Sequence, residues 1–324
     1  MKTNKIRIGI VGMGSSGMIL AVHLKLAGCE VAICDSDKEK MNLIRNEGIF
    51  LEGMIESHSY FDYVSFSVQE LLELDIDILI SCVKTYHVPK LLESLENLND
   101  NTYILSAQDG IDICQKYIKV CKESQIMRMV VNYAGNIIST NKVKVTYYNS
   151  ISYLGSINDK CHDKAEWLAE SINRSGHKCE AIGSFQLIDE VWKKSVLIAS
   201  IGPICGVSKL NLQEAMASDD TVEIIEQTLI ESMEVAKAEG VKFEDNYIKL
   251  CLRKLKEAGD HLPSLGIDIG SGKETEIDFF NGKIVRYGKK HYIQTPLNIT
   301  FTNVVNAMHY KKMNGTSPYK QNRN

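Results

Sequence analysis

The chain reads as an α/β protein: a doubly wound, mostly parallel sheet at its N-terminal end, followed by a second, all-helical C-terminal domain. Three observations predict this. The first half alternates short apolar, β-rich runs with amphipathic helical periods, the pattern of a parallel sheet covered on both faces. A glycine-rich turn separates the first of those runs from the first helical period. From about Gln186 onward strand signals nearly vanish and long helical periods take over.

Taken in order, strands are expected over residues 6–11, 30–34, 76–83, 102–106 and 127–131. The first helix opens at Ser15-Ser16-Gly17 and runs to Ala27; others are expected over 38–46, 88–98 and 112–121. Two further strand-like runs, 142–148 and 151–154, meet at Asn149-Ser150, which suggests a turn and an antiparallel addition to the sheet. A helix over 162–175 closes this half. The second half is expected to hold helices over 186–200, 221–239, 245–258, 274–288 and 297–313. The division falls near Gly183-Ser184, giving domains 1–183 and 184–314. Residues 315–324, polar and carrying Pro318, are expected to form a frayed tail.

Charge and composition narrow the function classes. With 37 Lys+Arg against 41 Asp+Glu the net charge is −4, and no basic stripe is present to neutralise phosphates, so nucleic acid is not the expected partner. The sequence starts without a signal-peptide apolar region, and no run approaches the roughly 18 apolar residues of a membrane span. The most apolar segment, 195–207, is broken by Gly202 and Pro203. A cytoplasmic protein without membrane association is expected. The nine cysteines include no Cys-x-x-Cys and no neighbouring His pair, which points to free thiols and no metal. The long apolar helical faces suit a homodimer and equally suit burial within one subunit.

Gly12-Met13-Gly14-Ser15-Ser16-Gly17 lies between an apolar strand and a helix. In a Rossmann dinucleotide site Gly12 permits the tight turn, Gly14 lets a pyrophosphate approach the backbone, and Gly17 lets helix and strand pack closely. The helix N-terminus offers N–H groups and partial positive charge to the phosphates. Asp35 ends the second strand roughly 20 residues after the glycines, where a carboxylate accepts hydrogen bonds from ribose hydroxyls and repels a 2′-phosphate. Ser36, Asp37 and Lys38 supply no arginine clamp, so NAD(H) is favoured over NADP(H). Asp35 or Asp37 is equally suited to cap the next helix.

In the second half, the helical period places Lys194 within the stripe of Leu187, Val191, Ile198 and Ile201, whereas Lys193 falls with Asp189 and Glu190 on the solvent side. A lysine on a buried or cleft-facing surface is costly without a role or a partner, although its stem can also snorkel to water. The stretch from Pro263 and Ser264 through Gly270-Ser271-Gly272 reads as a polar, glycine-rich loop leading into acids of a first helical turn, Glu276 among them. Ligand binding, helix capping and dipole compensation all fit it.

The order and spacing of these residues resemble the ketopantoate reductase family of 6-phosphogluconate-dehydrogenase-like reductases over almost the whole chain. The resemblance rests on the glycine motif, on Ser81-Cys82-Val83-Lys84 at a strand end, and on Gln108-Asp109-Gly110 where the family usually has Gln-Asn-Gly. It continues with Val191-Trp192-Lys193-Lys194 and with Thr275-Glu276-Ile277-Asp278-Phe279-Phe280-Asn281-Gly282, close to the family's TEID-x-x-NG signature, with Ser264 upstream. It implies reduction of a 2-oxo acid to a 2-hydroxy acid with NAD(P)H. Lys194 would polarise the carbonyl and donate the proton, and Lys84 would sit by the nicotinamide ribose and substrate. Glu276 would hold a polar group at the substrate's far end, and Ser264 its carboxylate.

Three positions depart from the family pattern, which has Asn where this chain has Asp109, Ile198 and Gly202. Those positions face cofactor or substrate in the family, so an altered substrate pocket is expected. An opine-type dehydrogenase acting on amino-substituted substrates is the alternative enzyme, with Asp109 and Glu276 contacting an ammonium. A non-catalytic NAD(H)-sensing protein is the alternative outside catalysis.

Overall fold

The computed structural model describes residues 6–96, 98–148 and 150–314. The chain forms two compact units, Met1–Glu190 and Val191–Asn324.

In the first unit β1 (Arg7–Val11), α1 (Ser15–Leu26) and β2 (Glu30–Cys34) form the opening βαβ unit, with β1 and β2 parallel from Arg7↔Glu30 to Val11↔Cys34. After α2 (Lys38–Glu47) come β3 (Ile49–Gly53), β4 (Ser57–Ser59) and β5 (Tyr63–Ser65). Then follow α3 (Val68–Leu72), β6 (Ile78–Ser81), α4 (Val88–Ser94), β7 (Tyr103–Ser106) and β8 (Ile126–Val130). β9 (Ala134–Ser139), β10 (Lys142–Tyr147), β11 (Ser152–Ser156), α5 (His162–Arg174) and β12 (Cys179–Ala181) complete the unit.

The main sheet runs β12-β11-β8-β7-β6-β1-β2-β5, and from β5 to β8 every neighbouring pair is parallel. Within that block the strands stand in the order 3-2-1-4-5-6 of a doubly wound nucleotide-binding sheet. The order reverses between β1 and β6, so the crevice at their C-terminal ends is flanked by Gly12 and by the segment after Ser81. Ile8, Ile10, Val31, Ile33, Ile78 and Ile80 are buried along these strands, which reads as the near-continuous apolar run of a sheet covered on both faces.

Several local expectations are corrected. Residues 112–121 form a 3-10 helix at Cys114–Lys119, entered from Asp112 at φ 61, and its buried Cys114 and Tyr117 have the spacing that a three-residue turn eclipses. The runs 142–148 and 151–154 do not pair as a hairpin. β10 joins a separate four-stranded sheet, β4-β3-β10-β9, while β11 pairs antiparallel with β8 in the main sheet. Asn149 lies outside the described residues. The fourth helix is shorter than expected and ends at Ser94.

The second unit is helical, with no strand among its described residues. α6 (Ser184–Ser208) begins in the last residues of the first unit and continues through Pro203. It is followed by α7 (Leu212–Ala217), α8 (Asp219–Ala238), α9 (Tyr247–Glu257), α10 (Ser264–Ser271), α11 (Asn281–Lys290) and α12 (Pro296–Asn314). α10 replaces the expected glycine-rich loop. The expected helix over 274–288 is instead a 3-10 turn, Ile277–Phe279, leading into α11. The tail 315–324 lies outside the described residues. No described helix is long and apolar enough to cross a membrane.

Candidate active site

The glycine turn is shaped by contacts that only glycine permits. Gly12 has φ +100, and a Cβ there would stand 2.8 Å from the Val83 nitrogen. At Gly17 a Cβ would stand 2.0 Å from the Gly12 carbonyl oxygen, so the first turn of α1 lies directly on the loop. At Gly14, by contrast, a Cβ would meet nothing within 4 Å. Gly14 is also the N-cap of α1 and supplies no side-chain cap, while the first-turn N–H groups lack partners within the helix. Open space above uncapped N–H groups suits a pyrophosphate. Met13 is buried, and Ser15 and Ser16 are half-buried. The Tyr133 hydroxyl, from the segment after β8, donates to the Ser16 carbonyl at 3.2 Å.

Asp35 closes this turn from the end of β2. One carboxylate oxygen accepts the Met13 N–H at 2.7 Å, and the other accepts the Asp37 N–H at 3.0 Å. Asp37, not Asp35, caps α2, accepting the Lys40 N–H at 3.0 Å. The Lys40 ammonium stands 3.5 Å from Asp35. Lys40 lies outside the Ser36-Asp37-Lys38 stretch that directly follows Asp35, and only the turn of α2 brings it back to the carboxylate.

Lys84 directly precedes a 3-10 turn, Thr85–His87, just after β6. The buried Thr85 hydroxyl donates to the Asp109 carbonyl at 3.1 Å, latching the Lys84 segment to the Gln108-Asp109-Gly110 segment after β7. Beneath them lies a buried polar network. The Gln108 amide donates to Ser81 and, at 2.8 Å, to Tyr117, and accepts from Ser106. Arg128 reaches Ser106 at 3.0 Å and the Gly110 carbonyl at 3.1 Å. Lys84 and Asp109 are therefore brought together on a rigid base. Cys82 packs at the same corner, and burial pushes its thiol up to about 12, which keeps it protonated and chemically quiet.

In the second unit Lys194, Ile198 and Gly202 follow one another on α6. Lys194 and Ile198 are half-buried. Lys193 is not on the solvent side as expected. Its ammonium pairs with Glu244 at 3.0 Å and its side chain is only 16% exposed, because the segment leading into α9 folds over it. Gly202 is a packing position, where a Cβ would stand 2.9 Å from Leu265 of α10. At Gly206, one turn further, a Cβ would lie 2.6 Å from the Ile269 Cβ. Gly266 completes the close approach from the other helix, its Cβ position being 3.4 Å from the Gly202 carbonyl oxygen. Ser264 is exposed in the first turn of α10, and Glu276 is buried just before the 3-10 turn. Among the described residues no group of three or more His, Cys, Asp or Glu could hold a metal ion.

Comparison with known proteins agrees with this geometry. Residues 8–159 match the family model described as ketopantoate reductase PanE/ApbA, and residues 186–309 match its C-terminal model. The chain is 24% identical over 308 residues to a 2-dehydropantoate 2-reductase of Pyrococcus horikoshii, covering 93% of this chain and 97% of that one. It is 26% identical over 307 residues to the enzyme of that name from Aquifex aeolicus, covering 92% and 95%. Among solved structures, a 2-dehydropantoate 2-reductase from Geobacter metallireducens superimposes with a TM-score of 0.84 at 19% identity, covering 93% and 99%. A D-mandelate dehydrogenase with NADH and anilino(oxo)acetate superimposes with a TM-score of 0.81 at 22% identity, covering 94% and 99%. The chain belongs to the ketopantoate reductase family, and with it to the NAD(P)-dependent oxidoreductases that act on CH–OH groups.

Proposed function

We propose that this protein uses NADH to reduce a 2-oxo acid to the 2-hydroxy acid, its substrate being ketopantoate or a close relative with an altered side chain. The observation that supports the reading is the glycine turn: an open Gly14 at the uncapped start of α1, closed by the Asp35 carboxylate, with Lys194 half-buried beside Ile198 on α6. The nicotinamide, when bound, supplies the hydride. Every other task falls to the chain. The open face of Gly14 and the first turn of α1 hold the pyrophosphate. Asp35, fixed by two backbone N–H groups, holds the ribose hydroxyls and disfavours a 2′-phosphate, which supports NAD(H) over NADP(H).

Lys194 hydrogen-bonds the substrate carbonyl oxygen, stabilises the charge developing there and donates the proton as the alcohol forms. Lys84 orients the nicotinamide ribose and the substrate, Ser264 holds the carboxylate, and Glu276 takes a polar group at the substrate's far end. Ile198 puts hydrocarbon where the family has an amide, and Gly202 is closed off by Leu265, so the pocket is less polar than one built for ketopantoate. Asp109 supports the alternative of an amino-substituted substrate. The exposed Val304, Met308, Tyr310 and Met313 of α12 support a homodimer, which sedimentation tests.

The test of substrate class is NADH oxidation against ketopantoate and a panel of 2-oxo acids, with and without amines, repeated with NADPH. Turnover of 2-oxo acids alone is the expected result. A requirement for an amine transfers the reading to the opine-type reaction. Tight NADH binding with no turnover of any carbonyl contradicts both.

A further inference from the structure

Pro203 sits inside α6, where its missing N–H leaves the carbonyl of Ala199, four residues earlier, without its helical partner. A buried orphan carbonyl is costly, and here it is answered from outside the helix. The Asn281 side-chain amide, at the first position of α11, donates to the Ala199 carbonyl at 3.0 Å. Its second N–H goes to the Asn298 side chain at 3.0 Å. Asn298, in the first turn of α12, in turn donates to Glu231 of α8 at 3.0 Å and to Ser232 at 3.2 Å. Glu231 also accepts the backbone N–H groups of Leu297 at 2.9 Å and Asn298 at 3.2 Å.

Both asparagines are fully buried. A carbonyl accepts only, so the Asn281 amide has one workable orientation; flipped, it would set oxygen against oxygen. The chain of amides therefore leads from the proline-bearing stretch of α6 to the N-terminal ends of α11 and α12 and to the interior of α8. Its two ends near the site are telling. Ala199 lies on the helix that carries Lys194, and Asn281 ends the stretch that begins at Glu276.

We propose that Asn281 is a positioning residue: its amide ties the carbonyl freed by Pro203 to the Glu276-bearing segment, and so sets where Lys194 stands relative to Glu276. The proposal rests on the reading of Lys194 as proton donor and Glu276 as substrate ligand. It gives the asparagine of the TEID-x-x-NG pattern a task distinct from touching the substrate.

A double-mutant cycle tests it, using Asn281→Ala, Pro203→Ala and the pair in the full chain, followed by urea unfolding, NADH titration and steady-state kinetics. Asn281→Ala is expected to lower the urea midpoint. The drop is expected to shrink in the Pro203→Ala background, where a backbone N–H returns to the Ala199 carbonyl. With the parent proline, Asn281→Ala is expected to lower kcat by about tenfold to a hundredfold, as displacement of a reacting group does, while the Kd and KM for NADH stay unchanged. The paired variant is expected to recover part of kcat.

If Asn281→Ala alone does not fold, its recovery by Pro203→Ala is the same result read from folding yield, and Asn281→Ser, which keeps a donor, replaces it in the kinetics. Equal midpoint drops in both backgrounds overturn the pairing. Coupled midpoints with unchanged kcat overturn the positioning role and leave a purely structural tie. A parent protein that turns over no 2-oxo acid removes the reading beneath the proposal, and the positioning role with it; the unfolding cycle distinguishes that failure, because it does not depend on turnover.

Discussion

At the residue scale, Lys193 and Lys194 stand side by side on α6, and both are half-buried. Lys193 is held by Glu244, more than half exposed, so Lys193→Ala removes a near-surface pair worth about 0.2–1 kcal/mol and is expected to leave kcat unchanged. The Asp35 carboxylate is pinned by Met13 and Asp37, and Asp35→Ser removes the charge that would meet a 2′-phosphate while leaving Lys40 in place. A like-charge contact near 4 Å at a protein surface costs about 1–4 kcal/mol, so the NADPH/NADH ratio of kcat/KM is expected to rise about fivefold or more. An unchanged ratio would mean that Asp35 only braces the turn. Spacing alone identified Asp35 and Lys194 as candidates. It did not reveal Lys40 or the partner of Lys193, because both depend on which element folds over them.

At the element scale, the glycines of α6 and α10 record a close helix approach. A solvent-facing glycine in a helix usually gains up to about 1 kcal/mol when changed to alanine. Gly206→Ala is expected to do the reverse, destabilising by about 1–3 kcal/mol, because the new methyl would lie 2.6 Å from the Ile269 Cβ. Urea unfolding decides the sign. The same contact explains why α10 was invisible in the sequence. Ser264–Ser271 has the glycines of a loop, and its helix forms because packing on Gly202 and Gly206 overrides weak propensity. The parallel strands β1, β2, β6, β7 and β8 were legible, since buried strands are written as apolar runs. β3, β4 and β9 were not, because polar residues and glycines interrupt their apolar runs. Strand character in β10 was visible, but its partner was not, because a period of two does not say which edge a strand joins.

At the scale of the whole molecule, an imidazole cluster that includes His23 of α1 sets a limit on acid stability. His23 and His177 are buried, with ring centroids 5.8 Å apart and stacked or tilted against Tyr148. Desolvation lowers both from 6.5 to about 4, the neighbouring imidazole adding to the effect at His177. Both are neutral when folded, so between pH 6.5 and about 4 the unfolded chain binds more protons than the folded one. Their contribution is complete above pH 6.5 and is lost as pH falls toward 4. Urea midpoints are expected to fall across that window, and His177→Gln is expected to flatten the fall; a slope the substitution does not change would place the acid sensitivity elsewhere. The division of labour between the two units has a more direct test. For Lys194→Ala, NADH titration and 2-oxo acid turnover are to be measured on the same preparation. The Kd for NADH is expected to stay unchanged while kcat falls about 10²–10⁴-fold, the range for removing a positioned acid. Turnover unaffected by the substitution would contradict the role of Lys194 as proton donor.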